Sequence, residues 1–260
     1  MGAESMTQIT AQIGPGVAGV VKAYSNARKL FQLADLPVGV LTYGLGNIGN
    51  SSIESIVSQF SAQIRAEQEQ NFTVQQIAKR LLEFVLPRFN NRPQPTPAGA
   101  AQPVQPPPLG FYLAGYTRGQ EPGSGSEWEF TLPNDNEPRQ ARPDNVFGAS
   151  WRGVAVPFTR LYFGLDPRIP DLLPQIGLSP EKVEEVKNIL QMVGARLVVP
   201  IIFDGMPVND AIGFCKFILE TTIGEATYEV GSPSCGGPLL MALITRENGF
   251  QWIKKPEYSV

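Results

Sequence analysis

The clearest pattern of apolar and polar positions lies between Lys29 and Phe60. A short apolar strand starts at Leu30, a turn follows, and the β-branched run Val38–Thr42 predicts a second strand. A glycine corner at 44, 46 and 49 then allows the backbone to approach a neighbour closely. Apolar residues at helical spacing come next, at Ile53, Val57, Phe60 and Ile64. The stretch therefore predicts two strands followed by a helix that packs on their sheet.

Two capping boxes mark the starts of paired helices. Ser51-x-x-Glu54 precedes the first helix, and Thr73-x-x-Gln76 precedes the second. Pro87 is expected to end the second helix, because proline lacks the amide hydrogen that a helix interior requires.

The remaining pattern divides into strands and helices. Strands are predicted at 7–13 and 17–23 as a hairpin, at 111–116 with 128–132 as its partner, and at 239–244 with 250–253 after a turn. Helical spacing is found at 154–162, after Ser179-Pro180 and after Pro207. Residues 1–5 are interpreted as a flexible start and 134–145 as a polar loop, while 197–203 fits either a strand or a run into the next helix.

The order of elements predicts an α+β fold. Runs of strands alternate with runs of helices, which favours antiparallel sheets flanked by helices over a doubly wound parallel sheet. Two helix pairs flanking such sheets give a four-layer α-β-β-α sandwich. We expect one domain over residues 1–260, with a proline-rich surface insertion at about 87–110 and a loop-rich region at 117–147.

Composition narrows the function classes. The 260 residues are 42% hydrophobic with a net charge of −3 and no basic run, so nucleic acid is not expected as a partner. No apolar run reaches the length of a membrane span, and the first 28 residues do not read as a signal peptide. Two cysteines make no disulfide framework, which favours a reducing cytoplasm.

The absence of histidine is the most restrictive observation. It removes every mechanism in which imidazole is the base, and two cysteines alone cannot complete a zinc site. We therefore expect no metal and no cofactor. Any catalysis would need an amine or a carboxylate as its base.

Three separate segments, in order, resemble the proteasome β-type subunits of the N-terminal-nucleophile (Ntn) hydrolase family. They are Asn26–Leu33 with Gly39–Leu45, the Asp210-Ala211-Ile212 helix with Cys235–Thr245, and the hairpin Asn248–Trp252. The resemblance covers most of the chain outside 87–143 and 165–200. It implies the four-layer sandwich and assembly into rings.

The resemblance also implies a site. The family uses an N-terminal threonine whose free amine is the base, a lysine that tunes this pair, and a glycine whose N–H stabilises the oxyanion. The corresponding positions here are Thr7, Lys29 and Gly44. Thr7 follows six residues, so cleavage would be needed to expose its amine.

Other parts of the family pattern are missing. The aspartate that pairs with the lysine has no evident counterpart, and Ser232 stands where a second aspartate is expected. Ser150 matches the family's supporting serine only loosely. Without these carboxylate partners, Lys29 is explained equally well as a solvated lysine outside any active site. Gly44 is explained equally well as a glycine that the tight corner of the chain requires.

Two functions follow from these observations. The first is a non-catalytic proteasome-like subunit that acts through a homo-oligomeric ring or through related subunits. The alternative is a threonine-type endopeptidase, active after processing exposes Thr7. The missing aspartates favour the first function, and the lysine strand with its glycine corner keeps the second open.

Overall fold

Two compact units make up the chain. Unit 1 comprises Met1–Val146 and Ser234–Val260, and unit 2 comprises Phe147–Pro233. The structure is a computed structural model that describes residues 1–14, 17–67, 71–92, 108–118 and 125–255. For residues 10–14, 17 and 18 it describes the backbone only. Most of the predicted proline-rich insertion lies outside these residues. The expectation of one domain over 1–260 stays a prediction.

An antiparallel five-stranded sheet forms the centre of unit 1. Its spatial order is β10-β9-β8-β5-β4. The strands are β4 (Leu30–Gln32), β5 (Val38–Gly44), β8 (Leu109–Tyr116), β9 (Gly125–Leu132) and β10 (Arg139–Arg142). The predicted pairing of β8 with β9 is confirmed, with Phe111 opposite Phe130. The polar loop predicted at 134–145 is wrong in part, because β10 pairs there with β9 and Arg139 binds Glu129.

One face of this sheet carries two helices. They are α1 (Ile53–Glu67) and α2 (Val74–Asn90). Alternate strand residues, including Val38, Val40 and Phe111, share a buried cluster with the apolar stripes of both helices. The prediction that the two helices pack on a common sheet is therefore confirmed. Apolar residues at every second strand position face the helices, and apolar residues at helical spacing face the sheet.

The ends of these helices correct two details. The predicted box at Ser51 is wrong, because Ser52 Oγ accepts the bond from the Ser55 amide at 3.1 Å. The box at Thr73 is confirmed by bonds in both directions with Gln76. The predicted end of α2 at Pro87 is also wrong. The helix continues to Asn90, since a proline in the last turn removes one helical hydrogen bond without removing the packing of Phe89.

A second, three-stranded sheet covers the opposite face. Its order is β1-β11-β12, formed by β1 (Gly2–Ala3), β11 (Leu240–Thr245) and β12 (Gly249–Lys254). Ala3, Leu240 and Ala242 share a small core with Leu30, and Phe250 and Trp252 pack around it. These elements of unit 1 thus form one helical layer and two larger sheets. The expected flexible start at 1–5 is wrong, because β1 is a sheet strand and Ser5 is buried.

Two small two-stranded sheets complete unit 1. The larger is the predicted hairpin of β2 (Thr7–Gly14) and β3 (Val17–Tyr24), and the smaller joins β6 (Asn47–Ile48) to β7 (Ser51–Ser52). The first hairpin exposes Ile9, Val21 and Tyr24, each with about half of its surface accessible.

Unit 2 is helical in its described residues. Its helices are α3 (Val156–Phe163), α4 (Ile169–Leu172), α5 (Pro180–Leu197) and α6 (Val208–Thr227), with a 3-10 turn at Pro174–Ile176. The predicted helices after Ser179 and Pro207 are confirmed. Of the stretch 197–203, for which a strand or a run into the next helix was expected, Leu197 ends α5 and 198–203 form neither helix nor strand. Phe158 is the buried centre of an aromatic cluster with Trp151, Phe214 and Phe217. The fourth layer of a sandwich stays a prediction.

Candidate functional site

The candidate site is an ion pair between Lys29 and Glu4. Lys29 immediately precedes β4, and its carbonyl oxygen accepts a hydrogen bond from the Thr42 amide at 2.9 Å. Glu4 directly follows β1. The Lys29 Nζ donates to Glu4 Oε1, and both side chains are partly buried. The inference that Lys29 lacks a carboxylate partner is therefore wrong.

The second oxygen of Glu4 is also occupied. Its Oε2 accepts hydrogen bonds from the backbone amides of Met6, at 2.7 Å, and Gly236, at 3.2 Å. One carboxylate thus joins the lysine strand to the segment that precedes β11. Bonds from N–H groups to a charged acceptor are about twice as strong as neutral ones, so the arrangement fixes the Glu4 side chain.

Ser5 anchors the same segment from the other side. Its Oγ lies 2.6 Å from the Ser25 carbonyl oxygen and 2.7 Å from that of Pro238. Its amide donates to the Gly236 carbonyl oxygen at 3.0 Å. Gly237 has a φ of +77°, and a Cβ there would lie 2.4 Å from the Ser25 oxygen, so only glycine fits this approach.

Gly44 lies at the end of β5, opposite Leu109. Its φ is +87°, and a Cβ there would lie 2.0 Å from the Pro108 carbonyl oxygen. The same oxygen accepts a bond from the Leu45 amide at 3.0 Å. Close backbone approach therefore accounts for this glycine whether or not the chain is an enzyme.

Thr7 begins β2 and pairs with Tyr24. A Cβ on Gly46 would lie 2.8 Å from Thr7 Oγ1, which places the hydroxyl beside the glycine corner. Within the described part of the chain, no hydrogen bond joins Thr7 to Lys29. The structure therefore brings together Lys29 and Glu4, but it does not connect Thr7 or Gly44 to that pair by a polar contact.

The other polar candidates are less informative. Ser150 and Ser232 belong to unit 2, and Ser232 is exposed. Cys235 is buried, Cys215 is partly accessible, and neither forms a disulfide. Burial raises the pKa of the Cys215 thiol. A raised thiol pKa lowers the thiolate fraction, which disfavours Cys215 as a nucleophile.

Glu4 is the functional candidate that the sequence did not reveal. It lies in a short segment of small and polar residues that has no strand periodicity, because only two residues pair with β11. Its partners lie 25 and 232 positions away along the chain. The one signal in the sequence was that Glu4 is a single acidic residue shortly before β2, in a part of the chain with few charged residues.

The described residues contain neither a metal site nor a helix that could span a membrane. Among residues 1–14, 17–67, 71–92, 108–118 and 125–255, no group of three or more cysteine, aspartate or glutamate side chains is placed to hold a metal ion. No described helix combines the length and apolar character needed to cross a membrane.

No family model matches the chain, and no curated protein matches it.

Proposed function

We propose that this chain is a non-catalytic subunit of proteasome-like fold that acts through assembly with copies of itself or with related subunits. The observation that carries the proposal is the role of residues 1–6 in unit 1. These residues supply β1, the buried Ser5 and the carboxylate that binds Lys29.

This role conflicts with a nucleophilic Thr7. A free amine at Thr7 requires cleavage after Met6, and that cleavage would separate Glu4 from the rest of the chain. It would also remove the strand paired with β11 and the acceptor of the Gly236 amide. The same step that creates the nucleophile would therefore remove the group that orients the lysine, and preorganised groups are what such a mechanism depends on.

Exposed apolar side chains support assembly. The β2–β3 hairpin forms a sheet of its own, and a two-stranded hairpin is marginally stable in water. It nevertheless exposes Ile9, Val21 and Tyr24, and residues 7–24 contain a single charged residue, Lys22. Edge strands that remain in solvent usually carry several charges, so this hairpin has the character of a covered surface.

Assembly is tested by native mass spectrometry at micromolar concentration. We expect a defined oligomer that weakens in Val21→Glu, because the substitution adds a charge where an apolar contact is expected. Lys22→Gln, on the same strand, is the matched control and should assemble like the parent chain. A monomer under these conditions contradicts the proposal.

The absence of catalysis is tested with an epoxyketone peptide, which reacts with a hydroxyl and a free α-amine together. We expect no adduct and an intact mass that retains residues 1–6. A Thr7 adduct that is lost in both Thr7→Ala and Lys29→Ala overturns the proposal in favour of a peptidase.

One observation favours the endopeptidase as the second candidate. Lys29 has the carboxylate partner that such a site needs. If Met1–Met6 stayed bound after cleavage, the Glu4–Lys29 pair would be preserved. Mass spectrometry under native and denaturing conditions distinguishes this case, since the released peptide appears only after denaturation.

The proposal includes a reducing compartment such as the cytoplasm. Neither Cys215 nor Cys235 forms a disulfide, which is usual for a protein of a reducing compartment.

A further inference from the structure

A polar cavity of about 350 Å³ lies in unit 1 at the end of β4 remote from Lys29. It is bounded by the β4–β5 turn, the end of β8 and the β11–β12 turn. Pro37 and Phe250 supply apolar surface, and Gln32 and Asn248 supply amides. The volume falls at the lower end of the range for small-molecule sites.

Two arginines at the cavity have guanidinium groups that make no ion pair or hydrogen bond to another described residue. Arg118 and Arg246 are both among the residues that line it. Within the described part of the chain, neither guanidinium makes an ion pair or a hydrogen bond to another residue. Arginine presents a planar fork of donors that matches a carboxylate, so two such groups at one cavity favour an oxyanion.

The acidic residues that line the cavity limit the class of ligand that it can bind. Asp35 is engaged by Arg65, whose Nε lies 3.2 Å from its Oδ2. Glu247 lines the same cavity and has no ion-pair partner among the residues that the structure describes. Two arginines and one glutamate without ion-pair partners among the described residues therefore line a single small space. A phosphate would satisfy the cations but would be repelled by Glu247, whereas an ammonium group would be attracted to it.

We propose that this cavity binds a small zwitterion of the amino acid type. Its carboxylate lies between Arg118 and Arg246, and its ammonium group faces Glu247. A free amino acid and a short peptide with free ends share this chemistry, and they differ in the distance between their charges.

The frame of the cavity is ordered by backbone contacts. The Tyr116 amide donates to the Pro37 carbonyl oxygen at 3.0 Å, which ties β8 to the β4–β5 turn. Ala34 in that turn has a φ of +47°, unusual for a residue other than glycine, and its amide donates to Ser61 Oγ at 2.6 Å. A fixed frame reduces the ordering needed when a ligand binds.

The inference is independent of the proposed function. None of the cavity residues belongs to the Glu4–Lys29 site, and no step depends on oligomerisation. Failure of either proposal leaves the other standing.

The test is calorimetric titration of the full chain at low salt with five probes. They are free leucine, dileucine, N-acetyl-leucine, leucine amide and inorganic phosphate. We expect leucine or dileucine to bind at least tenfold more tightly than either blocked form, because each blocked form lacks one of the two charges. Binding of leucine alone identifies an amino acid site, and tighter binding of dileucine identifies a site for short peptides.

Substitutions at the cavity test which residues bind the zwitterion. Arg246→Gln and Glu247→Gln should each weaken the zwitterion at least tenfold, and circular dichroism should show unchanged folding because both residues are exposed. Arg196→Gln, at an exposed arginine of α5, is the matched control and should leave binding unchanged. N-acetyl-leucine or phosphate binding as tightly as leucine, or no binding by any zwitterion, overturns the proposal.

Discussion

Removing the Glu4 carboxylate is expected to destabilise unit 1 by about 3 kcal/mol. Glu4→Ala removes the partner of Lys29 and the acceptor for the amides of Met6 and Gly236. With side-chain exposures of 17% for Glu4 and 25% for Lys29, water replaces part of each interaction. We therefore assign about 1 kcal/mol to each of the two amide bonds and about 1 kcal/mol to the ion pair.

The measurement is urea unfolding followed by circular dichroism. Glu54→Ala is the control, because Glu54 pairs with Arg28 at 3.9 Å in a more exposed position. That change should cost no more than about 1 kcal/mol, including its loss at the start of α1. A double-mutant cycle of Glu4→Gln with Lys29→Met isolates the ion pair, for which we expect a coupling free energy of about 1 kcal/mol.

A loss of stability in Glu4→Ala that is no larger than that in Glu54→Ala would contradict this prediction. That result would mean that the segment 1–6 is not held by Glu4. The main argument against processing before Thr7 would then lose its basis.

Three further results are expected. Gly44→Ala should lower the free energy of unfolding in urea by more than about 2 kcal/mol. The added Cβ would overlap the Pro108 carbonyl, and the φ of this residue is positive. A loss below about 1 kcal/mol would contradict this prediction. Hydrogen bonds from Arg168 lower the pKa of the Asp166 carboxyl to about 2. The folded value lies below the unfolded one, so this stabilisation is complete above pH 4 and is lost as pH falls through about 2. Thermal unfolding of Asp166→Asn should therefore differ from the parent at pH 7 and converge with it near pH 2, and a difference that is constant with pH would contradict the sign. Cys215 should react with a thiol reagent at pH 8 several-fold more slowly in the folded chain than in urea, because burial raises its pKa; equal rates would show that it is accessible.

Local patterns predicted most of the elements. The β-branched run at 38–42 and the apolar stripe that includes Phe60 produce β5 and α1, because burial of one face decides each structure. The Thr73 cap was also predictable, since its donors and acceptors lie within three residues. Such features depend on neighbours along the chain, and a sequence pattern reports neighbours directly.

Features that depend on distant residues were not predictable in this way. The strand β1 has two residues, too few for an alternation, and its partner lies at the other end of the chain. The role of Glu4 depends on Lys29 and Gly236, which only the fold brings together. The continuation of α2 beyond Pro87 depends on Phe89 reaching the core, which outweighs the local preference of proline.

The pairing of β1 with β11 affects how unit 1 folds. The Met1 backbone nitrogen donates to the Ala242 carbonyl oxygen across 241 positions, and residues 147–233 form a separate unit between these strands. During synthesis, β1 must therefore wait until Leu240–Thr245 have left the ribosome before its partner strand exists. Contacts of such high sequence separation slow folding and leave strand edges open in the interval. We infer that the three-stranded sheet forms last, after the helices and the five-stranded sheet have already packed.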